Sequence, residues 1–581
     1  MTTAVPTSRP SWASPMNDTA ATIGSALHGA AAKAAADVAL TITESLGVPH
    51  LIARILVARG VTTPDEAGVF LKPRLDDLSD PFLLPDMDKG VARLIEAVSK
   101  SEKICIWGDY DADGVSCLAL MFNFLTHLGV SAAVHIPTRE EGYGLHIEKI
   151  EELAKDGVCL LVSLDCGSSN AEEIDHARRL GMDTIVIDHH EIGSEVPRAV
   201  AVINPKRKDS LFPTRDLAAC GVTFFFLLGL RRAMHAKGLI PGHINLKKEL
   251  DLVTIGTVGD MVPLTGDNRI LVRHGMEVMN QRPRAWLRSM LGSRVISKGL
   301  VNEFALGFII IPRINATGRV ARPHKSFDFL VATDDQAALA LLAELQKANT
   351  VRQQREKKIH DEIVSSIGTD GLSGRKTIVV FNEKWHAGVL GIVAQKLTER
   401  FGKPAIVITK VKDIWKGSGR GGDGMDLFEA ICSLSPLLLK YGGHKYACGI
   451  SLNEENLPAF AEAFEKAVEG TITGRKRPVH VDTAAGFDEL TSEVMDHLEE
   501  LGPFGIGNPR PNLLFDAAGI NAAGNGRTRI TDGSNRTWYG FYAAKSPFQK
   551  SDGARIIASP VVRMDFGERF IHLNIKEMVT E

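Results

Sequence analysis

Short apolar runs alternate with helix-like stretches through the middle of this chain. The runs at 103–107, 132–136, 159–164 and 184–187 are each bounded by turn-forming or polar residues. Runs of this length are typical of buried strands, and their alternation with helical stretches is typical of a parallel sheet with helices on both faces. We therefore predict an α/β domain over residues 101–333.

The rest of the chain divides by its own patterns. Residues 334–367 are polar with a sparse apolar stripe at helical spacing, which predicts a long helix connecting two domains. A smaller α/β pattern follows over 368–470, and the glycine-rich short strands of 471–581 favour a small β-barrel. The apolar spacing in 41–100 predicts short amphipathic helices, whereas the Ala-, Ser-, Thr- and Pro-rich residues 1–40 are typical of a disordered tail.

Composition and charge change this picture little. The chain has 581 residues, too many for one core, and its 44% apolar and 24% charged residues have the balance of an ordinary globular protein. The formal net charge of -3 neither favours nor excludes a nucleic acid, because a local basic track is enough to bind one.

The cysteines and the apolar runs indicate a cellular compartment. There are seven cysteines, an odd number with no CxxC pair, which disfavours a disulfide framework and fits a reducing cytosol. The apolar run at 222–230 is too short to span a bilayer, and the Ala-rich N-terminal region lacks the pattern of a secretory signal. We expect a cytoplasmic protein without a membrane partner.

Three carboxylates follow the first predicted strand. Residues 108–114 read Gly-Asp-Tyr-Asp-Ala-Asp-Gly, so Asp109, Asp111 and Asp113 alternate in a tight turn. Clustered carboxylates repel one another unless a cation lies among them, and hard divalent cations prefer oxygen ligands. A solvated acidic turn is the alternative; an EF-hand loop is disfavoured because its twelfth position would be Leu120 rather than Glu.

Further acids occupy comparable positions. Asp165 and Asp188 each follow a later apolar run, His189 and His190 come directly after Asp188, and Asp260 lies in a Gly-rich turn after another apolar run. Alone, Asp165 favours a helix cap and the histidines favour a structural role. Together the four segments predict acid-bearing strand ends at one edge of the sheet, where ligands bind. Carboxylates with imidazoles suit manganese and form what a two-metal phosphoryl-transfer site requires.

With these motifs, the sequence resembles the DHH phosphoesterase superfamily, which is named for the tripeptide at 188–190. The motif order GDYDADG, LDCG, DHH and GTVGDMVPL matches that superfamily. The runs REEGYGL at 139–145 and PRINATGR at 312–319 resemble motifs of one family within it, the bacterial single-strand-specific 5′→3′ DNA exonucleases. The likeness covers roughly residues 45 to 580.

The resemblance implies an architecture. The motifs WHAGVLG, GSGR and GGHKYACG are similar to those of the DHHA1-type nucleic-acid-binding domain, and GPFGIGNP is similar to the start of the family's OB-fold. The implied fold is α/β: a parallel-sheet DHH domain is joined by a long helix to a smaller α/β DHHA1-type domain, and a C-terminal OB-fold β-barrel follows.

The resemblance also implies roles for individual side chains. Ligands of two divalent cations, Mn²⁺ or Mg²⁺, are implied at Asp111, Asp113, Asp165, His189 and Asp260, with Asp165 bridging the ions. Catalytic positions that orient ligands or contact the phosphate are implied at Asp109, Asp188 and His190. Positions near the DNA backbone or the 5′-phosphate are implied at Arg139, Arg313, Ser418, Arg420 and His444.

We therefore expect a hydrolase that degrades single-stranded DNA from a 5′ end to mononucleotides in DNA repair and recombination. The GSGR and GGH segments, read as turns, fit phosphate binding, since glycine lets backbone N–H groups converge on an anion. Interleaved cations and aromatics in the barrel region, among them Arg529, Trp538 and Tyr539, fit single-strand stacking, with an ordinary core role as the alternative for each aromatic.

Partners and alternative functions complete the hypothesis. The chain has no Walker A motif and no nucleotide cofactor is expected, so unwinding falls to a separate helicase. The resemblance adds a single-strand-binding protein as a second partner. The alternatives are a DHH-family oligoribonuclease or small phosphodiesterase, and a catalytically silent DNA-binding scaffold. The filled ligand positions argue against the scaffold.

Overall fold

The computed structural model describes residues 28–193, 195–240, 244–296, 300–368, 372, 374–422, 424–469, 479–523, 527–542, 551–565 and 568–579. Contacts between Cα atoms divide the chain into two compact units. The first comprises Met1–Ile136, Tyr143–Ile311 and Val479–Glu581, and the second comprises Pro137–Gly142 and Pro312–Pro478. The N-terminal helices, the predicted catalytic domain and the C-terminal barrel therefore belong to one unit.

Three helices begin the described part of the first unit. They are α1 (His28–Leu46), α2 (His50–Ala58) and α3 (Pro64–Leu71). The helix α1 forms in an Ala-rich run, and alanine has the highest helix propensity; Ala39 and Ile42 on this helix are buried. The disordered tail predicted for 1–40 is therefore wrong for its last part, and residues 1–27 lie outside the described residues.

A five-stranded parallel sheet follows, with strand order β2-β1-β3-β4-β5. Its strands are β1 (Lys103–Trp107), β2 (Ala132–His135), β3 (Val158–Leu164), β4 (Asp183–Ile187) and β5 (Ala201–Ile203). The predicted strands are confirmed. The strand order reverses at β1, which has β2 on one side and β3 on the other. In open α/β sheets, ligands bind at the carboxyl ends of strands beside such a reversal.

Helices cover both faces of this sheet. The helices are α4 (Met87–Ser99), α5 (Ala112–His127), α6 (Ile147–Lys155), α7 (Ala171–Arg179), α8 (Ala219–Ala236), α9 (Leu250–Gly259), α10 (Gly266–Gln281) and α11 (Ala285–Gly292). Cys105 and Trp107 of β1 share a core with residues of α6 and α7. Ile104 and Ile106 alternate with them and are buried on the opposite face.

The position of Asp260 corrects one expectation. The apolar run before it was predicted to be a strand, but it forms α9, and Asp260 is the C-cap of that helix. Every residue from Leu250 to Thr257 is buried. Because this stretch is buried on all sides, its apolar residues do not follow one face, and the sequence carries no periodicity that separates helix from strand.

The second unit contains a mixed sheet. Its helices are α12 (Ile311–Val320), α13 (His324–Val331), α14 (Asp335–Ile367), α15 (Leu390–Phe401), α16 (Leu427–Ser433) and α17 (Leu457–Glu469). Its strands are β6 (Ile378–Phe381), β7 (Ala405–Val411), β8 (Ile414–Arg420), β9 (Lys440–His444) and β10 (Ala447–Leu452). The strand order is β6-β7-β8-β10-β9, and the β6–β7 pair is parallel while the others are antiparallel.

The long predicted helix exists as α14, but it belongs to the second unit. Ile359 and Ile363 on its apolar stripe share a core with Val389 and Val393. The second unit begins at Pro312, earlier along the chain than the domain boundary predicted at 333, which stays a prediction. Neither α14 nor another helix in the described ranges is long and apolar enough to cross a membrane.

The C-terminal part of the first unit is a closed barrel consistent with an OB-fold. Its elements are β11 (Thr483–Ala484), α18 (Ser492–Glu500), β12 (Leu513–Ala522), β13 (Arg527–Thr531), β14 (Thr537–Tyr542), β15 (Ser551–Asp565) and β16 (Glu568–Val579). The order is β12-β13-β14-β16-β15, and β15 pairs back to β12. Phe515 and Ile530 of the barrel share one core with Leu51 and Ile55 of α2, which explains why these segments form one unit.

Candidate active site

The loop between β1 and α5 arranges its three acids by capping. One carboxylate oxygen of Asp111 accepts the N–H groups of Asp113 at 2.9 Å and Gly114 at 3.1 Å, so Asp111 is the N-cap of α5. A Cβ on Gly114 would lie 2.6 Å from the backbone nitrogen of Asp109, so the turn needs glycine there. The acids on either side, Asp109 and Asp113, are buried.

Asp113 is held by a second helix terminus. Its two carboxylate oxygens accept the N–H groups of Ala219 at 2.7 Å and Cys220 at 2.9 Å, which are the first residues of α8. The unpaired N–H groups of a helix N-terminus favour a negative charge. Gly256 on α9 makes room for this carboxylate, because a Cβ there would lie 2.5 Å from an Asp113 oxygen.

Asp165 follows β3 in an unusual backbone conformation. Its φ is +63°, a region that non-glycine residues rarely adopt. Its N–H donates to Ile187 O at 3.0 Å, and its carbonyl accepts the hydroxyl of Tyr143 at 3.0 Å. Strained residues of this kind cluster at functional sites, where the surroundings determine their conformation.

Both carboxylate oxygens of Asp188 accept hydrogen bonds. Its carboxylate accepts N–H groups of Ser168 at 2.9 Å, His189 at 2.7 Å and His190 at 3.1 Å, and it lies 2.8 Å from Nδ1 of His190. Burial opposes ionisation of Asp188, but the hydrogen bond and charge of His190 outweigh it and hold its pKa well below the usual range. Asp188 therefore remains a carboxylate that binds the backbone N–H groups of both histidines and the ring of His190.

The two adjacent histidines differ in charge. Burial and the neighbouring charge of His190 lower the pKa of His189 to about 3, so His189 is neutral and its nitrogens can bind a metal. Burial also opposes a charge on His190, but the hydrogen bond to Asp188 raises its pKa to about 9. With no metal bound, His190 is therefore a cation at neutral pH.

Potential ligand atoms converge in three overlapping groups, and the atoms of each group lie within 4.8 Å of one another. The groups are Asp113, His189 and Asp260; Asp109, Asp111 and Asp165; and Asp165, His189 and His190. Nε2 of His189 lies 3.4 Å from an oxygen of Asp165, and Nδ1 lies 3.6 Å from an oxygen of Asp260. His189 and Asp165 therefore link the groups.

The donor set fits divalent cations. The facing atoms of Asp165 and His189 are buried and have no hydrogen-bond partner among the described residues, an arrangement that is costly unless something binds there. Burial and the charge of Asp111 raise the pKa of Asp113 to about 6. Burial and the charges of Asp113 and Asp111 raise the pKa of Asp260 to about 8. Such crowding of acids fits a compensating cation, and oxygen with imidazole ligands suits Mn²⁺ or Mg²⁺.

All five predicted metal ligands lie in these groups. Asp109 and His190, predicted to support catalysis, also present ligand-competent atoms there, whereas Asp188 lies outside the three groups because its oxygens are occupied by donors. The individual roles stay predictions.

Sequence reasoning missed two residues at this site. The hydroxyl of Tyr143 lies 3.0 Å from Nδ1 of His190 as well as bonding Asp165. The side chain of Asn204 donates to Ser168 Oγ and to the carbonyl of His190, each at 2.9 Å. Asn204 directly follows β5, so it could have been found as the acids were, as a polar residue directly after an apolar run. Tyr143 could have been found only through the REEGYGL motif in which it lies.

Ser418 and Arg420 lie on a strand of the second unit. The GSGR segment was predicted to be a turn, but it forms the end of β8, between β7 and β10. Its glycines make room for neighbouring side chains: a Cβ on Gly417 would lie 2.8 Å from Ile450. One Arg420 nitrogen donates to Gly419 O at 2.8 Å and lies 3.4 Å from Ser418 Oγ, and burial lowers the pKa of Arg420.

His444 lies in the same sheet row as Arg420. The GGH segment, also predicted to be a turn, is the end of strand β9, and His444 pairs with Ala447, which pairs with Arg420. Gly443 has a φ of +147°, and a Cβ there would lie 2.3 Å from Ala447 O, so glycine is needed for strand contact. His444 and Arg420 are two strands apart, roughly 10 Å.

The other two predicted DNA-contacting residues are also in the second unit. Nε of Arg139 donates to Gly318 O at 3.2 Å. Arg313 lies on α12, and burial together with the charge of Arg352 lowers its pKa. The structure thus brings Ser418, Arg420 and His444 to one sheet, while Arg139 and Arg313 lie elsewhere in the unit.

Family models define the class of this protein. The model described as the DHH family, N-terminal domain, matches residues 103–257, and the model described as the DHHA1 domain matches residues 374–470. The fold is therefore that of a DHH-type protein with a DHHA1 domain. The fold class predicted from the sequence is confirmed.

Relatives narrow the class to one family. The single-stranded-DNA-specific exonuclease RecJ of Escherichia coli (strain K12) is 34% identical over 81% of this chain and 83% of that protein. The chain is 35% identical to RecJ of Bacillus subtilis (strain 168) and spans 60% of its length. A crystal structure of RecJ with Mn²⁺ from Thermus thermophilus matches with a TM-score of 0.79 at 26% identity, covering 94% of this chain and 78% of that one. The chain belongs to the RecJ family.

Proposed function

We propose that this protein is a metal-dependent exonuclease that hydrolyses single-stranded DNA from its 5′ end to mononucleotides. The observation that carries the proposal is the convergence of buried carboxylates and histidines, held by the ends of β1, β3 and β4, in a member of the RecJ family. Solved RecJ structures with Mn²⁺ and with Mg²⁺ match this chain, which supports these two ions as cofactors.

The residues of the site have different proposed roles, which follow from their positions and their charge. Two divalent cations bound there would supply an activated water and a counter-charge for the scissile phosphate. Asp165 belongs to two ligand groups, which supports its assignment as the bridging ligand. His189, neutral through burial, is suited to ligation, whereas the ring of His190, held by its hydrogen bond to Asp188, is suited to contact a phosphate oxygen.

A phosphate-binding role is proposed for the second unit. Ser418 and Arg420 lie against the first turn of α15, since a Cβ on Gly391 would lie 3.0 Å from a polar atom of each. A helix N-terminus with an arginine fork and a hydroxyl has the donors that a terminal phosphate needs. We assign the 5′-phosphate to Ser418 and Arg420, and the DNA backbone to the remaining set, Arg139, Arg313 and His444.

Partners and location extend the proposal beyond the site. A separate helicase would supply single strands, and a single-strand-binding protein would present them; both partners, like the cytoplasmic location, rest on the sequence analysis and family membership. A pull-down with each purified partner tests the association.

The test uses oligonucleotides that carry a label at one end, as single strands and as duplexes, with Mn²⁺ or Mg²⁺. A 5′-labelled single strand should release labelled mononucleotide from the earliest times, whereas a 3′-labelled strand should shorten progressively. A bulky group on the 5′ end should block degradation, and the same group on the 3′ end should leave it nearly unchanged.

Three outcomes would contradict the proposal. Degradation from the 3′ end would overturn the polarity. Preference for short oligoribonucleotides would favour the oligoribonuclease alternative. Binding of DNA without cleavage in either metal would favour the silent scaffold. A preparation of the Asp165→Ala protein serves as the control for contaminating nucleases.

A further inference from the structure

The proposed ligand Asp260 lies at the start of the short loop that joins α9 to α10. Asp260 caps the end of α9, and the next residue, Met261, is 66% exposed with a φ of +62°. This conformation is unfavourable for a side chain larger than glycine, so it persists only where other contacts impose it. The loop ends at Thr265, the N-cap of α10.

A distant segment, residues 502–508, packs against this loop, and we name it the buttress loop. The N–H of Leu264 donates to Ile506 O at 2.7 Å. Gly507 packs directly on the Asp260 loop: a Cβ there would lie 2.9 Å from Pro263 Cβ and 3.3 Å from Pro263 Cα. The buttress loop thus contacts the Asp260 loop through its own backbone.

The buttress loop is itself rigidly held. The side-chain amide of buried Asn508 donates to Leu501 O at 2.9 Å and to Pro503 O at 2.8 Å, which closes the loop on itself. Arg59 donates to the side-chain oxygen Oδ1 of Asn508 at 2.6 Å, and its Nε pairs with Asp482 at 2.8 Å. Both side chains of this ion pair are almost fully buried, so the pair is little screened by water.

Helix α10 holds the base of the buttress loop from the other side. Arg269 donates to Leu501 O at 2.9 Å, and Arg273 donates to Glu500 O at 2.7 Å and Gly502 O at 3.1 Å. Burial and the charge of Arg273 lower the pKa of Arg269 to about 9, which shows how strongly this guanidinium is desolvated. The helix that begins where the Asp260 loop ends therefore also fixes the buttress loop.

We propose that the buttress loop is a positioning element for Asp260, with Gly507 as the residue whose lack of a side chain sets the distance. Metal–ligand distances tolerate about 0.2 Å, so a shift of the Asp260 loop by a few tenths of an ångström weakens binding of the ion that Asp260 helps to hold. The inference rests on the proposed function only for the identity of Asp260 as a ligand.

The test compares two matched glycine substitutions in the full-length, metal-free protein. Gly507→Ala places a methyl group against Pro263, whereas Gly129→Ala places one in open space at nearly the same φ, +73° against +74°. Calorimetric titration with Mn²⁺ should show roughly 10–100-fold weaker binding of one of the two ions in Gly507→Ala, the range typical of groups that orient a ligand. Gly129→Ala should bind both ions as the wild type does.

The Asp260→Ala variant sets the largest loss of Mn²⁺ affinity to expect, and the melting temperature shows whether each variant is folded. The loss in Gly507→Ala should not exceed the loss in Asp260→Ala, and the two glycine variants should melt at similar temperatures. Where Gly507→Ala does not fold, Gly505→Ala replaces it; its methyl group meets the flexible end of Leu264 at 2.8 Å, and a smaller loss of affinity for the same ion is expected.

Equal Mn²⁺ binding by folded Gly507→Ala and Gly129→Ala proteins would overturn the positioning role, and so would a loss confined to DNA binding. Neither result touches the proposed exonuclease activity, which the wild-type digestion assay decides. Conversely, a wild type that binds two ions but cleaves no DNA would refute the activity and leave the positioning role intact.

Discussion

The ligand groups of the first unit are largely buried, whereas Ser418 and Arg420, the proposed phosphate-binding residues of the second unit, are partly exposed, and the two sets also differ in how completely their polar atoms are paired. In the first, acids are crowded together, the pKa values of Asp113 and Asp260 are raised, and ligand atoms of Asp165 and His189 face each other without donors among the described residues. In the second, Arg420 already donates to a carbonyl and lies beside a hydroxyl.

This difference predicts that the folded state of the first unit is stabilised by bound metal, whereas the second unit folds equally well without its ligand. Buried charges of one sign destabilise a protein until a counter-ion binds, so metal and fold are coupled in the first unit. A single, partly exposed guanidinium destabilises the folded state less than several buried carboxylates do. The stability of the second unit should therefore not depend on bound DNA. The following predictions test this contrast, from the largest expected effect to the smallest.

Asp165→Ala should have the largest effect. The substitution removes the carboxylate shared by two ligand groups, so cleavage should fall by more than the roughly 10–100-fold that follows from disturbing an outer group. Mn²⁺ titration and a single-strand digestion assay measure the loss. Asp156→Ala, which changes an exposed acid of the same domain, is the control. Retained cleavage in the Asp165→Ala protein would refute the metal assignment.

Arg420→Ala should weaken substrate binding without affecting metal binding. Hydrogen bonds from a charged donor contribute about 1.5–3 kcal/mol, so KM for a 5′-phosphorylated single strand should rise roughly 10–100-fold, with little change in kcat. Arg400→Ala, an exposed arginine of the same unit, is the matched control. A strand lacking the 5′-phosphate should be nearly insensitive to Arg420→Ala; equal sensitivity would contradict the phosphate assignment.

Metal affinity should rise with pH. Asp113 and Asp260 have pKa values of about 6 and about 8 in the metal-free protein and must lose their protons to bind a cation. For each proton released, affinity should increase up to roughly tenfold per pH unit between about pH 6 and 8. Mn²⁺ titrations in buffers with different ionisation enthalpies count the protons. A flat profile across this range would contradict the proton release.

The same shifts fix the sign of a stability effect in chelated protein. The folded protein holds protons on these carboxylates that the unfolded chain has lost, so the contribution of Asp113 and Asp260 to the unfolding free energy is greatest below about pH 4 and falls as pH rises toward 8. Saturating Mn²⁺ should reverse the trend, because bound metal stabilises the ionised form. Denaturant unfolding with and without chelator measures the difference.

Tyr143→Phe should have the smallest effect. It removes the hydroxyl that bonds Asp165 O and contacts His190 while keeping the ring. One neutral hydrogen bond contributes about 1 kcal/mol, so kcat should fall about fivefold and the melting temperature should change little. A change above roughly a hundredfold would place Tyr143 among the groups that contact the reacting phosphate.

The sequence by itself determined the parts whose signals are local. The strands β1, β3 and β4 are short apolar runs, and the acids that follow them are adjacent in sequence, so their convergence follows from the parallel sheet. The Gly-bounded turn with Asp109, Asp111 and Asp113, and the length of α14, were likewise readable, because capping and helical periodicity depend on neighbours along the chain.

Only the tertiary structure decided the rest, because those features depend on residues far apart in sequence. The helix α9 was taken for a strand because burial on all sides erases periodicity, and the glycines of β8 were taken for a turn because their purpose is to admit Ile450 and Cys448 from a neighbouring strand. Trp538, a candidate for stacking on DNA, instead donates to Asp532 at 2.9 Å and packs near Phe487.

The buttress loop is the clearest case. Leu264 and Ile506 are joined by a 2.7 Å hydrogen bond although they are more than two hundred residues apart in sequence. The sequence around either residue does not predict this contact. The residue types that bind metal can be read from the sequence, whereas the support that fixes their positions arises from packing between distant segments, which a local pattern does not encode.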